Sequence, residues 1–139
     1  MKDNQIDEIR RFVRFLNREF KLFSESTWQK FEINHTQSQL LFFINAHCPI
    51  TSKELTEEFY MEKSSMSRSL KILESKNLIA FSQKKSDLRS KDIRMTSQGK
   101  KLLNILNQYG QSHFKSLFSK EEQATLKKMY EAINLLSFN

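Results

Sequence analysis

Apolar residues at alternating intervals of three and four recur at both ends of this 139-residue chain. Near the N-terminus they are Ile6, Ile9, Val13, Leu16, Phe20 and Phe23, and near the C-terminus Leu126, Met129, Ile133 and Leu136. This spacing places apolar side chains along one face of an α-helix, as in helices that pair with a second helix. Only two glycines and one proline interrupt the chain. The sequence therefore predicts a mainly helical fold whose terminal helices pack on a second copy, with packing inside one chain as the alternative.

Capping patterns mark where further helices begin. A hydroxyl residue followed three positions later by Glu or Gln is typical of a helix start. The pattern occurs at Thr36 with Gln39, at Thr51 with Glu54 and at Ser119 with Glu122. The first predicts a helix that Pro49 ends, the second predicts a short helix that buries Leu55 and Phe59, and the third predicts the C-terminal helix. Another helix is predicted from about residue 97.

The segment 61–79, MEKSSMSRSLKILESKNLI, has two different helical faces. At 100° per residue, Met66, Leu70 and Leu73 lie together. The opposite face carries Ser64, Arg68, Lys71 and Ser75. Serine lowers helix propensity, so a face rich in serine favours a surface to which something binds over an ordinary solvated helix. Asn77 can take the left-handed conformation in which many helices end.

Two short strands are predicted after this helix, at residues 78–85 and 91–96, joined by the polar link SDLRS at 86–90. A short helix, a turn and a second helix make a helix-turn-helix, and the basic hairpin beyond it makes a wing. The predicted fold class is therefore mainly α with a small β-hairpin wing, a winged helix-turn-helix domain flanked by N- and C-terminal dimerisation helices.

Positive charge is concentrated in this region. Residues 62–94 contain nine Lys and Arg against four acidic residues, whereas the rest of the chain contains fourteen against twelve. Such a basic segment on a nearly balanced body indicates a surface that binds a polyanion, although a solvated lysine-rich surface is the alternative. On a helix-turn-helix the expected polyanion is double-stranded DNA. Small hydroxyl side chains let a helix backbone approach the bases, and basic side chains bind phosphates or guanine. The candidate residues are Ser64, Ser65, Ser67, Arg68, Lys71, Lys84, Lys85 and Lys91.

Residues 36–103 resemble the MarR family of winged-helix transcriptional regulators. The resemblance is carried by ITSKELTEEF, by KSSMSRSLKILESKNLI and above all by SDLRSKDIRMTSQGKKLL, which includes Asp87, Arg89, Thr96 and Gly99. It implies that Arg89 enters an A·T-rich minor groove and that Asp87 orients the wing. It also implies one MarR-like domain over 1–139, in which 1–33 and 97–139 are dimerisation helices and 36–96 is the DNA-binding lobe.

The resemblance further implies a homodimer that acts on a pseudo-palindromic operator, most simply as a ligand-responsive repressor. A small lipophilic or aromatic effector is the expected ligand, and Phe12, Phe15 and Phe42 are candidates to line its crevice. The alternative for these rings is ordinary core packing. Cys48 is interpreted either as a redox sensor or as a small buried apolar residue.

Other functional classes find little support in the sequence. No nucleophile elbow, glycine-rich phosphate loop or metal-ligand spacing is present, so no enzyme, cofactor or metal site is predicted. No apolar stretch approaches the length of a membrane span and no secretory signal is visible, so a cytoplasmic location is expected. The alternative functions are a winged-helix protein-interaction module and an architectural DNA-binding protein that no ligand gates. The polar and basic outward face favours DNA over a protein partner.

Overall fold

The computed structural model describes the backbone of residues 1–84 and 87–137, and their side chains except those of residues 84 and 87–90. The fold is mainly helical with a small antiparallel sheet, as the sequence predicts. Its elements are α1 (Asp3–Thr27), a 3-10 helix (Trp28–Phe31), α2 (His35–His47), β1 (Ile50–Thr51), α3 (Ser52–Phe59), α4 (Lys63–Ser75), β2 (Ile79–Lys84), β3 (Asp87–Met95), α5 (Ser97–Ser116) and α6 (Lys120–Ile133).

The hydrophobic core joins α2, α3, α4 and the sheet. Leu40, Leu41, Ile44 and Leu55 are fully buried within it, and Phe59 packs against it from the end of α3. The apolar face predicted for α4 is confirmed, because Met66, Leu70 and Leu73 are all buried. Since these residues fix the rotation of α4 about its axis, the serine and basic face of the helix points outward.

The sheet has the strand order β1-β3-β2, and all neighbouring strands are antiparallel. Strand β1, whose Ile50 pairs with Ile93, was not predicted from the sequence. The predicted polar link at 86–90 was wrong, because β3 begins at Asp87 and pairs this residue with Lys84. Lys85, a candidate DNA-binding residue, lies outside the described residues.

Helix starts agree with the capping patterns in two cases of three. The hydroxyl of Thr51 accepts a hydrogen bond from the Glu54 amide at 3.2 Å, and the Ser119 hydroxyl accepts one from the Glu122 amide at 3.1 Å. The predicted cap at Thr36 was wrong. Helix α2 begins at His35, and the side chain of Asn34 accepts a hydrogen bond from the Gln37 amide at 2.8 Å.

Asn34→Ala is expected to lower the free energy of unfolding by about 1 kcal/mol, the usual contribution of a side-chain N-cap. The loss arises because the Gln37 amide no longer has the side-chain oxygen of Asn34 as its hydrogen-bond acceptor. Urea unfolding followed by circular dichroism measures it. Thr36→Ala is the matched control, since Thr36 is exposed in the first turn; an equal loss in both variants would contradict the assigned cap.

The chain forms two compact units, Met1–Leu106 and Asn107–Asn139. In the first unit, Ile9 and Val13 of the apolar face predicted near the N-terminus are 52% and 48% exposed. In the second unit, α6 contains no buried residue, and Leu136 beyond it is 64% exposed. The predicted division into dimerisation helices and a DNA-binding lobe stays a prediction. Among the described residues, no helix is both long and apolar enough to cross a membrane.

Candidate nucleic-acid interface

The outward face of α4 carries the predicted hydroxyl and basic residues. Ser64, Ser67, Arg68 and Lys71 are exposed, and Ser65 is half-buried. The guanidinium of Arg68 donates a hydrogen bond of 3.3 Å to the Ser65 hydroxyl. Because the Arg68 side chain is exposed, this contact positions it along the helix and leaves its remaining donors directed to solvent.

The N-terminus of α4 offers amide groups to an anion. Its N-cap, Glu62, makes no side-chain capping hydrogen bond. The first amides of a helix lack partners within the helix and carry the positive end of its dipole. Small serine side chains at this end let another molecule approach these amides closely.

A cavity of about 420 Å³ lies between α3, α4 and the wing. It brings together Ser67 and Lys71 of α4 with Lys91 of β3, all three of which the sequence predicts as DNA-binding residues. The other lining residues are Thr51, Ser52, Lys53, Leu70, Glu74 and Phe81. With three lysines and one glutamate around its rim, the cavity attracts anionic groups such as phosphates.

Lys53 also lines this cavity and was not predicted from the sequence. Its position could have been inferred, because the cap at Thr51 places Ser52 and Lys53 in the first turn of α3. A lysine in the first turn of a helix lies beside unpaired amide groups, and together they form a site suited to phosphate. The charge count alone did not reveal Lys53, since this residue lies outside the basic segment 62–94.

The wing places the remaining predicted residues on two paired strands. Lys84 ends β2, Asp87 begins β3, and Arg89 lies within β3. The side chains of these three residues are outside the described part of the structure. Lys91, further along β3, is exposed and reaches the cavity beside α4.

A compact joint, formed by Asn77, Leu78, Thr96 and Gly99, connects α4, the wing and α5. The Thr96 hydroxyl donates a hydrogen bond of 2.6 Å to the carbonyl of Asn77 and accepts one of 2.9 Å from the Gly99 amide. The Thr96 amide donates to the carbonyl of Leu78 at 3.1 Å. Asn77 takes the predicted left-handed conformation, with φ 58°. The joint therefore explains the Thr-x-x-Gly motif, because each of its residues fixes the end of α4 relative to α5.

The aromatic residues proposed for a ligand crevice occupy two places. Phe12 and Phe15 stack with ring centroids 6.4 Å apart on α1 and line a cavity of about 690 Å³. The described residues that line this cavity do not include Phe42, which packs against the core from α2. The common crevice for the three rings stays a prediction.

Cys48 is exposed, so its interpretation as a buried apolar residue was wrong. Its thiol lies 3.6 Å from the carbonyl of Ile93. Among the described residues, no group of three or more His, Cys, Asp and Glu could hold a metal ion.

Comparison with known proteins places this geometry in a family. The model of the MarR family matches residues 33–91. An uncharacterized HTH-type transcriptional regulator of Bacillus cereus is 30% identical over 137 residues, covering 94% of this chain and 88% of that protein.

Two solved structures share the fold. MepR of S. aureus in its DNA-binding conformation is 25% identical with a TM-score of 0.69, covering 90% of this chain and 98% of that chain. A mutant MarR from E. coli complexed with operator DNA is 22% identical with a TM-score of 0.68, covering 94% and 96%.

Proposed function

The chain belongs to the MarR family, and on this premise we propose that it is a sequence-specific, double-stranded DNA-binding transcriptional regulator. The observation that carries the proposal is the outward face of α4 beside the lysine-rimmed cavity. This face combines small hydroxyl residues with Arg68 and Lys71, and the cavity adds Lys53 and Lys91 from other elements. No catalytic step is part of this function.

In this proposal α4 enters the major groove. Ser64, Ser65 and Ser67 allow the helix backbone to approach the base edges, and Arg68 reaches guanine or a phosphate with its forked donors. Lys71, Lys53 and Lys91 bind phosphates on the sides of the groove. The wing, with Lys84, Lys85, Asp87 and Arg89, extends over the adjacent minor groove, where narrow A·T-rich segments concentrate negative potential.

We further propose that the regulator is a homodimer. Ile9 and Val13 on the apolar face of α1 are about half exposed, and a second copy would bury this apolar surface. Two-fold symmetry would then set two α4 helices on a pseudo-palindromic operator, with half-sites about 34 Å apart. Repression would follow from occupation of the operator.

Ligand response, in this proposal, works through the spacing of the two lobes. A small lipophilic or aromatic effector would favour a spacing at which the two α4 helices of the dimer no longer fit successive major grooves. DNA affinity would therefore fall. Structures with and without such an effector test this step, and identical lobe separations in both would contradict it.

Arg89→Ala is expected to weaken binding to an A·T-rich duplex by about tenfold, the loss of one minor-groove arginine contact. The measurement is fluorescence anisotropy of a labelled 30-base-pair A·T-rich duplex at several salt concentrations. Wild-type affinity should fall steeply with salt, by about 0.9 in log affinity per log salt for each phosphate neutralised.

The matched control is Arg10→Ala, which removes an exposed arginine from α1. The guanidinium of this arginine lies 3.8 Å from the carboxylate of Asp7. It should bind the duplex as the wild type does. If the wild type does not bind the duplex even at low salt, the proposed function is wrong.

A further inference from the structure

Tyr60, which lies in the turn between α3 and α4, has an unfavourable backbone conformation. As the residue that ends α3, it has φ 50° and ψ 40°, in the left-handed region. Glycine and, less often, asparagine occupy such positions, because a larger side chain crowds the following carbonyl. Tyrosine is therefore a poor choice for the fold at this position.

Among the described residues, no contact of the Tyr60 side chain offsets this cost. It is 96% exposed, and in the described part of the structure it makes no hydrogen bond, ion pair or ring contact. The two other non-glycine residues with positive φ differ in this respect. The Asn77 side chain donates a hydrogen bond to Gln98, and the carboxylate of Glu32 lies 3.8 Å from the ammonium group of Lys76.

The turn fixes the position of Tyr60 relative to α4. The amide of Tyr60 and the amide of Met61 both donate to the carbonyl of Thr56, and the side chain of Met61 packs against the core. Tyr60 therefore projects from a fixed point two residues before Glu62, the N-cap of α4. This end of α4 is the one that carries the serines and is proposed to enter the major groove.

The charges around Tyr60 select the kind of contact that it can make. Glu57 and Glu58 precede it and Glu62 follows it. Their carboxylates repel a phosphate that comes close to the turn, so only a long side chain that reaches beyond them can contact one. A phenol is neutral, donates one hydrogen bond and offers a flat apolar ring. It can donate to a phosphate oxygen and pack on the adjoining sugar without neutralising the phosphate charge.

We infer that Tyr60 is a DNA-contacting residue, whose hydroxyl donates a hydrogen bond to a backbone phosphate at the edge of the groove that α4 enters. The inference rests on the proposed function, since it requires DNA at α4. The strained, exposed tyrosine is then retained because it positions α4 on the duplex, and the fold is less stable than it would be with glycine at this position.

The test measures stability and DNA binding in the same variants. Tyr60→Phe is expected to weaken binding to the 30-base-pair A·T-rich duplex about tenfold, the usual effect of losing a hydrogen bond to a charged group. Tyr60→Gly is expected to bind at least as weakly while its Tm rises, because glycine relieves the backbone strain. In both variants the slope of log affinity against log salt should match that of the wild type, since no phosphate charge is neutralised by a phenol.

Arg68→Ala is the comparison variant, because loss of a phosphate-binding cation should reduce that slope by about 0.9. Wild-type affinity in both Tyr60 variants would overturn the inference and leave the proposed function intact. A lower Tm in Tyr60→Phe, in proportion to its loss of binding, would also overturn it, because Tyr60 would then act through the fold. If the wild type itself does not bind the duplex, the proposed function fails and the contact fails with it.

Discussion

Gly99→Ala is expected to lower the free energy of unfolding by about 3 kcal/mol or more, a large effect for the addition of one methyl group. A Cβ atom at this position would lie 2.1 Å from the carbonyl oxygen of Leu78 and 2.8 Å from the terminal methyl carbon of Met95. The methionine can rotate away, but the carbonyl oxygen belongs to the backbone. It cannot move freely, because it accepts the hydrogen bond from the Thr96 amide. The added methyl group must therefore open the joint between α4 and α5.

Urea unfolding at one fixed protein concentration measures the loss, because dimerisation would make the apparent stability depend on concentration. Gly110→Ala is the matched control. It lies in the same helix, and a Cβ atom there would meet nothing within 4 Å. Alanine should raise helix stability at this position by about 0.5–1 kcal/mol. An unchanged urea midpoint in Gly99→Ala would show that the joint does not constrain the fold.

Reversing the charge of Arg68 and Lys71 together is expected to lower DNA affinity by at least a hundredfold. Each side chain is exposed on the outward face of α4, so the double variant Arg68→Glu/Lys71→Glu should fold normally. A lost contact to a base edge typically costs about 1–3 kcal/mol, and here each contact is also replaced by repulsion from phosphate. The salt dependence of binding should become correspondingly shallower.

Anisotropy with the same duplex measures this effect, and Lys100→Glu/Lys101→Glu is the control with an equal change in net charge. Both control residues are exposed in the first part of α5. The control should retain most of the wild-type affinity, since overall charge contributes less than charge placed at the groove. If both double variants lose affinity equally, binding depends on net charge and the assigned face of α4 is wrong.

Much of the fold could be predicted because local patterns and tertiary packing agree. The two faces of α4 follow from helical periodicity alone, and the core confirms them at Met66 and Leu73. The left-handed conformation of Asn77 was predictable from its residue type. The cap of α2 was not, because two capping patterns overlap, Asn34 with Gln37 and Thr36 with Gln39. Only the tertiary position of the helix decides between them.

Other features lie beyond local patterns. Strand β1 contains two residues, too few to show an alternation of apolar and polar side chains. It is recognised as a strand because it pairs with β3. Lys53 joins the candidate DNA surface because α3 and α4 meet beside the wing. Tyr60 was not predicted to have positive φ, since tyrosine rarely adopts it. For β1 and Lys53, a contact distant in sequence outweighs the local preference.

The joint at Thr96 and Gly99 also affects the orientation of α4 relative to α5. Its hydrogen bonds hold the C-terminal end of the helix, whereas the N-cap at the opposite end has no side-chain hydrogen bond. Helix α4 spans 13 residues, a length of about 20 Å. A tilt of the helix by about 3° at the joint would move its N-terminal end by about 1 Å. A hydrogen bond tolerates only a smaller change in its donor–acceptor distance. Small structural changes around Gly99 would therefore alter the contacts that Ser64 and its neighbours make.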